Sequence, residues 1–302
     1  MKYFITGASG WIGTAVTAEL LSRGHQVVGL ARNDESAAKL QSAGAEVFGG
    51  SIDDPDALRA PADASDGVIH LAFNHDFSAH SAAIATDQAV MTSILDTLAG
   101  SDRPFVFASG VLGRAGAGIV ATEDIAIDPA TVASPRALNE LFALASAERG
   151  VRPVAVAFAP TVHGEGDHGF MAAYVAMDRA AGVAGYVGDG TNTWPAVHRA
   201  DAAALVALAV EKAPPGSVVH AVAEQGVRHL DIAEAIARGT GLPVRAFDTG
   251  EVAERAPQFQ WLERFLGVSA VASSAITQRL LGWTPTHPTL IEDLDAGHYT
   301  RR

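Results

Sequence analysis

Cysteine is absent from the 302 residues. There is therefore no disulfide framework, no thiol nucleophile and no cysteine-based metal site. Lysine is scarce. Lys2, Lys39 and Lys212 are the whole complement, and 34 acidic against 21 basic residues give a net charge of −13. Nucleic acids and anionic membranes need a basic face, so neither partner is expected. Long apolar runs are missing too. Ala202–Val210 is the longest, far short of the ~20 residues that span a bilayer. A first strand is predicted from residue 2, which leaves no room before it for a signal peptide. A soluble cytoplasmic protein is the expectation. With 48% hydrophobic and 18% charged residues, the chain has the composition of a globular protein large enough for one big core or two merged subdomains.

What is present is organised around Thr6–Gly13, Thr-Gly-Ala-Ser-Gly-Trp-Ile-Gly. Lys2–Ile5 before it is short, apolar and strand-forming. Thr14–Ser22 after it carries Ala15, Val16, Ala18, Leu20 and Leu21 as a buried helical face. Strand, glycine-rich turn, helix and second strand (Gln26–Leu30) within about 30 residues form a dinucleotide-binding unit. Gly7 suits a tight turn, Gly10 a close backbone approach to a pyrophosphate, and Gly13 close packing of the helix on the sheet. The helix N-terminus, with Ser9, Gly10, Trp11 and Ile12, offers N–H groups and partial positive charge to phosphates. The alternative is an ordinary glycine-rich turn.

Strands and helices alternate onward. Helices are predicted at Glu35–Ser42, Asp54–Arg59, Ser81–Leu98 and Ser134–Glu148. Strands are predicted at Glu46–Phe48, Gly67–Ala72, Pro104–Ala108, Val154–Phe158 and Val218–Val222. Continuous apolar strands between helices imply an α/β fold, a Rossmann-type doubly wound parallel sheet. The pattern loosens after Pro160, with helices at Phe170–Ala181 and Asp201–Glu211. Residues 1–163 are expected to form the nucleotide-binding domain, with 194–225 returning to it. Residues 164–193 and 226–302 are expected to form a smaller, interleaved substrate-binding lobe.

The spacing Gly-x-x-Gly-x-x-Gly after Thr6 resembles that of the short-chain dehydrogenase/reductases, in particular their extended and atypical branch related to nucleotide-sugar epimerases and dehydratases. Leu71-Ala72-Phe73, Pro160–Asp167, Trp194–Asp201 and the closing Leu281-Gly282-Trp283-Thr284-Pro285 extend the resemblance over nearly the whole chain. It implies that Leu71, Ala72 and Phe73 line the cofactor's ribose and phosphates, that Ser51 and Ile52 meet the adenine, and that Pro160 and Val162 border the nicotinamide with Ser109. It also implies a homodimer through the 81–98 and 134–148 helices. A carboxylate at the end of the second strand normally selects NAD. Ala31 stands there instead, and Arg32 follows, suited to a 2′-phosphate. NADP(H) is the expected cofactor. Asn33 and Lys39 are weaker candidates for the same phosphate, and Arg32 as a solvated helix-start residue is the alternative.

The catalytic pattern breaks. The family's proton donor is a Tyr four residues before a Lys. Here the tyrosines are Tyr3, Tyr174, Tyr186 and Tyr299, and none has Lys four residues on. By position Arg136 replaces the Tyr and Glu140 the Lys, one helical turn apart. Arg136 cannot give up a proton near neutral pH. It can stabilise developing negative charge or hold a phosphate or carboxylate. Glu140 either accepts from ribose hydroxyls or pairs with Arg136. The first alternative proton donor is His163, which takes the Tyr position of the family's Pro-x-x-Val-Tyr-Gly loop; the second is His75. Both lie near C-terminal strand ends, where such sheets bind ligands; either could equally be a structural residue. His163, Glu165, Asp167 and His168 are a weak metal-ligand set, and no metal is expected. Trp194 stands where sugar-nucleotide enzymes often carry Arg, which argues against a nucleotide-diphosphate substrate unless it is simply core.

These residues point to an NADPH-dependent reductase of a carbonyl or imine group on a small organic molecule. The alternative is a non-catalytic NADP(H)-binding sensor. An epimerase or isomerase is disfavoured by the missing Tyr.

Overall fold

The computed structural model describes residues 1–74, 80–115, 118–130, 135–248 and 250–300, with backbone alone at 80, 263 and 264. The chain opens as β1 (Lys2–Thr6), α1 (Trp11–Ser22), β2 (Gln26–Ala31), α2 (Asp34–Ser42) and β3 (Glu46–Gly49). A 3-10 turn and α3 (Arg59–Asp63) lead to β4 (Gly67–His70), α4 (His80–Leu98), β5 (Pro104–Gly110) and β6 (Val120–Ala121). Then come α5 (Arg136–Leu144), β7 (Arg152–Phe158), β8 (Thr161–His163), α6 (Phe170–Ala181), β9 (Ala184–Tyr186) and β10 (Thr193–His198). The remainder is α7 (Arg199–Lys212), β11 (Ser217–Ala221), β12 (Glu224–Arg228), α8 (His229–Thr240), β13 (Val244–Ala246), α9 (Glu251–Arg255), α10 (Gln260–Leu266), β14 (Val271–Ala272), α11 (Ala275–Leu281) and α12 (Leu290–Asp295).

Seven parallel strands form the central sheet in the order β11-β7-β5-β4-β1-β2-β3. The chain winds outward from β1 to β3, then restarts at β4 on the other side of β1. That reversal opens a crevice at the C-terminal ends of β1 and β4, where this architecture binds ligands. Both faces of the sheet are covered. Val16, Leu20, Val206 and Val210 of α1 and α7 pack on one face. Val90, Ile94, Leu95 and Ala143 of α4 and α5 pack on the other. This explains the unbroken apolar strands.

A second assembly holds the three-stranded sheet β12-β10-β8 and the pair β13-β9. Trp194, Tyr174, Ile232, Ile236, Leu290 and Leu294 are its core. Two expected boundaries are corrected here. Residues 193–198 do not return to the central sheet: β10 pairs with β8 and β12, although Val197 already packs into the first core ahead of α7. Conversely, residues 271–283 leave the lobe. Ala272, Leu281 and Trp283 belong to the core beside α1 and α7. The anchor is Asp201 at the start of α7. Its carboxylate accepts from the Thr286 and His287 backbone N–H groups (both 3.0 Å) and pairs with His287 Nδ1 (2.8 Å). Its carbonyl accepts from Trp283 Nε1 (3.0 Å). The helix expected over 134–148 is shorter. Pro135 is the N-cap of α5, the helix tightens into a 3-10 turn after Leu144, and Gly150 closes it in a left-handed conformation, a common way for helix ends to satisfy their last carbonyls.

Candidate active site

The glycine-rich turn lies at the crevice. Gly7 has φ +72°, and a Cβ there would sit 2.7 Å from the Ala72 nitrogen at the end of β4. No side chain fits so close a meeting of two strand ends. At Gly13 a Cβ would fall 2.0 Å from the Gly7 carbonyl oxygen. At this position the helix packs directly onto the turn. α1 starts after Gly10 with no side-chain cap and no acidic residue in its first turn. Its first N–H groups, at Trp11 and Ile12, are left to an outside anion, with Ser9 half-buried beside them. This arrangement fits a dinucleotide pyrophosphate. The Trp11 side chain is a strut. Its Nε1 donates to the Val162 carbonyl (2.8 Å) and ties the turn to β8 next to Pro160. Arg199 lies over the Trp11 ring at 4.2 Å and donates to Thr14 Oγ1 (3.0 Å).

At the far end of β2, Ala31 is buried and Arg32 exposed. The three cations and amides expected there separate clearly. Asn33 Oδ1 caps α2 by accepting from Ser36 N (2.9 Å). Lys39 pairs with Glu35 (2.8 Å). Arg32 forms no ion pair among the described residues. Ser51 is bound within its own turn, donating to Asp53 Oδ2 (2.8 Å), while Ile52 packs against the core under α4.

Beneath the crevice lies a buried network that the motif search passed over. Ala72 N donates to Thr6 Oγ1 (3.3 Å), and Thr6 Oγ1 meets His70 Nδ1 (2.6 Å). His70 Nε2 meets Asp87 Oδ1 (3.1 Å), and Asn139 Nδ2 donates to Asp87 Oδ2 (2.8 Å). One proton arrangement satisfies every member: His70 donates from Nε2 to the carboxylate, and Thr6 donates to Nδ1. Burial alone would raise the Asp87 carboxyl; hydrogen bonds from His70 and Asn139 outweigh it and hold the group below its ordinary range. The network fixes the backbone of Ala72, at the crevice, to α4 and α5. Its signal in the sequence is a lone His closing an apolar strand and a lone Asp in an Ala-rich helix.

On α5 the expected Arg136–Glu140 pair does not form. Glu140 is buried and receives Arg114 and Ser109 on its two oxygens. Arg114, on the loop after β5, reaches it from across the fold. Both Glu140 oxygens are thus engaged inside the fold, and the Ser109 hydroxyl is committed to Glu140. Arg136 turns the other way. Its guanidinium stacks on Phe73 at 3.8 Å from the ring centroid, beside Leu71 and Ala72. Its one hydrogen bond, Nη2 to the Ala108 carbonyl, is long at 3.5 Å. Nε is buried without an acceptor. Burial lowers its pKa and the charge of Asp87 opposes that shift, but a guanidinium remains protonated in proteins.

His163 does not face the crevice. Its ring is fully buried between β8 and α12, with Nδ1 on Asp293 Oδ2 (2.6 Å) and Nε2 3.8 Å from Glu224. With no route to solvent or substrate, it is withdrawn as proton donor. His75 lies outside the described residues. Asp167 accepts from Gly169 N (2.6 Å) and the Tyr299 hydroxyl (2.9 Å). His168 stands edge-on to Trp11. Among the described residues no three such side chains are placed to hold a metal ion. Trp194 is core: fully buried, it donates to the Val268 carbonyl (3.1 Å) and packs on Phe170 and His229.

The chain is similar to several known proteins. An uncharacterized protein of Schizosaccharomyces pombe is 42% identical over 299 residues, covering 99% of this chain and 100% of that one. An uncharacterized protein of Saccharomyces cerevisiae is 41% identical over 300 residues, 99% of both. The Dictyostelium discoideum sterol-4-alpha-carboxylate 3-dehydrogenase (decarboxylating) is 25% identical over 244 residues, 75% of this chain and 72% of that one. Among solved structures, the Thermotoga maritima UDP-glucose 4-epimerase with UDP-glucose superposes with a TM-score of 0.76 at 19% identity, over 99% of this chain and 98% of the other. MoeE5, solved with UDP-glucose and NAD, superposes at 0.73 and 23% identity, over 99% and 97%. Both share the fold. No described helix is long and apolar enough to cross a membrane. Residues 3–223 match the model of the NAD dependent epimerase/dehydratase family, and the chain belongs to that family.

Proposed function

We propose that this protein is an NADPH-dependent oxidoreductase that reduces a carbonyl or imine group of a small organic molecule without a Tyr/Lys pair. The observation that carries the reading is Arg136: a cation stacked on Phe73 at the ends of β4 and β5, in the place of the missing Tyr. Gly7, Ser9, Gly10, Trp11, Ile12 and Gly13 would hold the pyrophosphate. Arg32 would hold the 2′-phosphate. Leu71, Ala72 and Phe73 would line the ribose, with Ser109, Pro160 and Val162 around the nicotinamide. Bound in reduced form, the dinucleotide supplies a hydride to the acceptor carbon.

The chain's own part is electrostatic. Arg136 holds the acceptor oxygen of a carbonyl, or the nitrogen of a neutral imine, and stabilises the negative charge that gathers there. A donor aimed at developing charge in a dry site is worth roughly 100-fold to 1000-fold in rate. It keeps its own proton. With His163 sealed, water supplies the proton that completes the alcohol or amine. An iminium substrate arrives already protonated and needs this step least. Glu140, paired with Arg114, sets the position of Ser109.

The test is loss of NADPH absorbance, with NADH as control, against aldehydes, ketones, quinones and cyclic imines. Turnover of one class with NADPH supports the reading. NADPH binding with no turnover of any of them favours the sensor, and the burial of His163 is the observation on that side.

A further inference from the structure

We infer that the substrate is an anion: a carbonyl or imine compound that carries a carboxylate beside the reacting carbon, and that Arg136 binds this carboxylate along one edge of its guanidinium, which keeps the cation next to the acceptor atom. The inference rests on the reductase reading and names its substrate class.

Arg136 is a cation short of partners in a protein rich in carboxylates. The net charge is −13, yet among the described residues no carboxylate is within ion-pair distance of this guanidinium. The two acids nearest in the fold are both taken. Asp87 serves His70 and Asn139. Glu140, one turn along the same helix, serves Arg114 and Ser109. Nε is buried without an acceptor, and Nη2 makes only the 3.5 Å contact to Ala108. Asp87 acts on this guanidinium only at a distance, and among the described residues no carboxylate bonds it directly, which makes a largely buried cation on an aromatic wall costly to maintain. A ligand carboxylate would relieve that cost.

Two features favour a substrate carboxylate over other anions. Stacking on Phe73 fixes the guanidinium plane, and a fixed planar fork matches a planar carboxylate bidentately. The dinucleotide's phosphates have places of their own, at the N-terminus of α1 and at Arg32. An anion at Arg136 therefore belongs to the second ligand. The network from Ala72 through Asp87 to Asn139 holds the backbone of α5 against this end of the crevice, so the cation is pre-positioned.

The test separates binding from turnover. Oxamate, an unreactive isostere of a 2-oxo acid, and its neutral methyl ester are titrated calorimetrically into the full chain with and without saturating NADP+. The expected result is oxamate binding at least tenfold tighter than the ester, a preference abolished in Arg136→Gln and partly kept in Arg136→Lys. Thermal midpoints of both variants check that they fold. In parallel, phenylglyoxylate is compared with its methyl ester as hydride acceptor, with an expected kcat/KM ratio above ten. Absent oxamate binding, equal binding of acid and ester, or a preference untouched in Arg136→Gln, overturns the inference. Oxamate binding without turnover of any acceptor overturns the reductase reading and leaves the anion site standing. Turnover of neutral ketones without oxamate binding does the reverse.

Discussion

Arg32 and Glu140 show how much a single side chain decides. Arg32 is exposed at the end of β2 with no carboxylate bound to it, while its neighbours Asn33 and Lys39 are used by α2. A charge-assisted contact to a 2′-phosphate is worth about 1.5–3 kcal/mol. Arg32→Ala should therefore raise KM for NADPH roughly 10-fold to 100-fold and leave NADH almost unchanged, read from initial rates or cofactor titration. Equal losses for both cofactors would remove the 2′-phosphate assignment. Glu140 makes the opposite kind of test. It is buried with Arg114, each side chain 3% exposed. Removing one partner of such a pair leaves the other charged and uncompensated, at about 3–5 kcal/mol. Arg114→Met should lower the urea midpoint accordingly, and Arg114→Met with Glu140→Gln should recover a good part of the loss. A single variant as stable as the parent would show that the pair contributes little.

At the scale of elements, the molecule depends on long-range ties between segments that look independent in the sequence. The closing Leu-Gly-Trp-x-Pro stretch is held by Asp201 through two backbone N–H groups and His287. Asp201→Ala strands those donors. The expected loss is about 2–4 kcal/mol, since each hydrogen bond to a charged group contributes about 1.5–3 kcal/mol before water replaces part of it. Denaturant titration reads the total, and hydrogen exchange should show residues 283–288 opening first. Trp11 ties the glycine-rich turn to β8 by one bond, to the Val162 carbonyl. Trp11→Phe keeps the ring and loses that bond, so about 1 kcal/mol of stability is expected to go. Weaker cofactor binding should accompany it if the two loops act together. Much at this scale was readable from local pattern. Apolar segments alternating with helices found every strand of the central sheet, because its inner strands are buried on both faces, while the edge strand β3 is only half-buried around Val47 and Phe48. The three-residue strand β8 and the pairing of β10 outside that sheet were not readable. Strands that short carry no periodicity, and which sheet a strand joins depends on partners far along the chain.

For the whole molecule, pH stability has a clear marker in His229. It is fully buried against Trp194 and Tyr174, with neither ring nitrogen bonded. Burial pulls its pKa from 6.5 down to about 4. The folded protein keeps this ring neutral, while the unfolded chain takes up the proton below pH 6.5. The contribution is fully present above that pH and is lost as pH falls from 6.5 toward 4, a total of about 3 kcal/mol. His229→Leu should flatten the stability profile over this window by close to one proton. An unchanged slope would mean that the ring finds a partner or water when charged. The sequence by itself determined the strand, turn and helix of the dinucleotide unit and the parallel sheet. These rest on contiguous residues and on fixed backbone geometry, in which spacing alone sets what faces what. Only the tertiary structure decided that Glu140 belongs to Arg114, that His163 is buried on Asp293, that residues 271–283 cross back to the first core, and that Arg136 stacks on Phe73 with no carboxylate in ion-pair range among the described residues. Each of these is a competition among distant groups for burial and for partners, and its outcome exists only once the chain has folded.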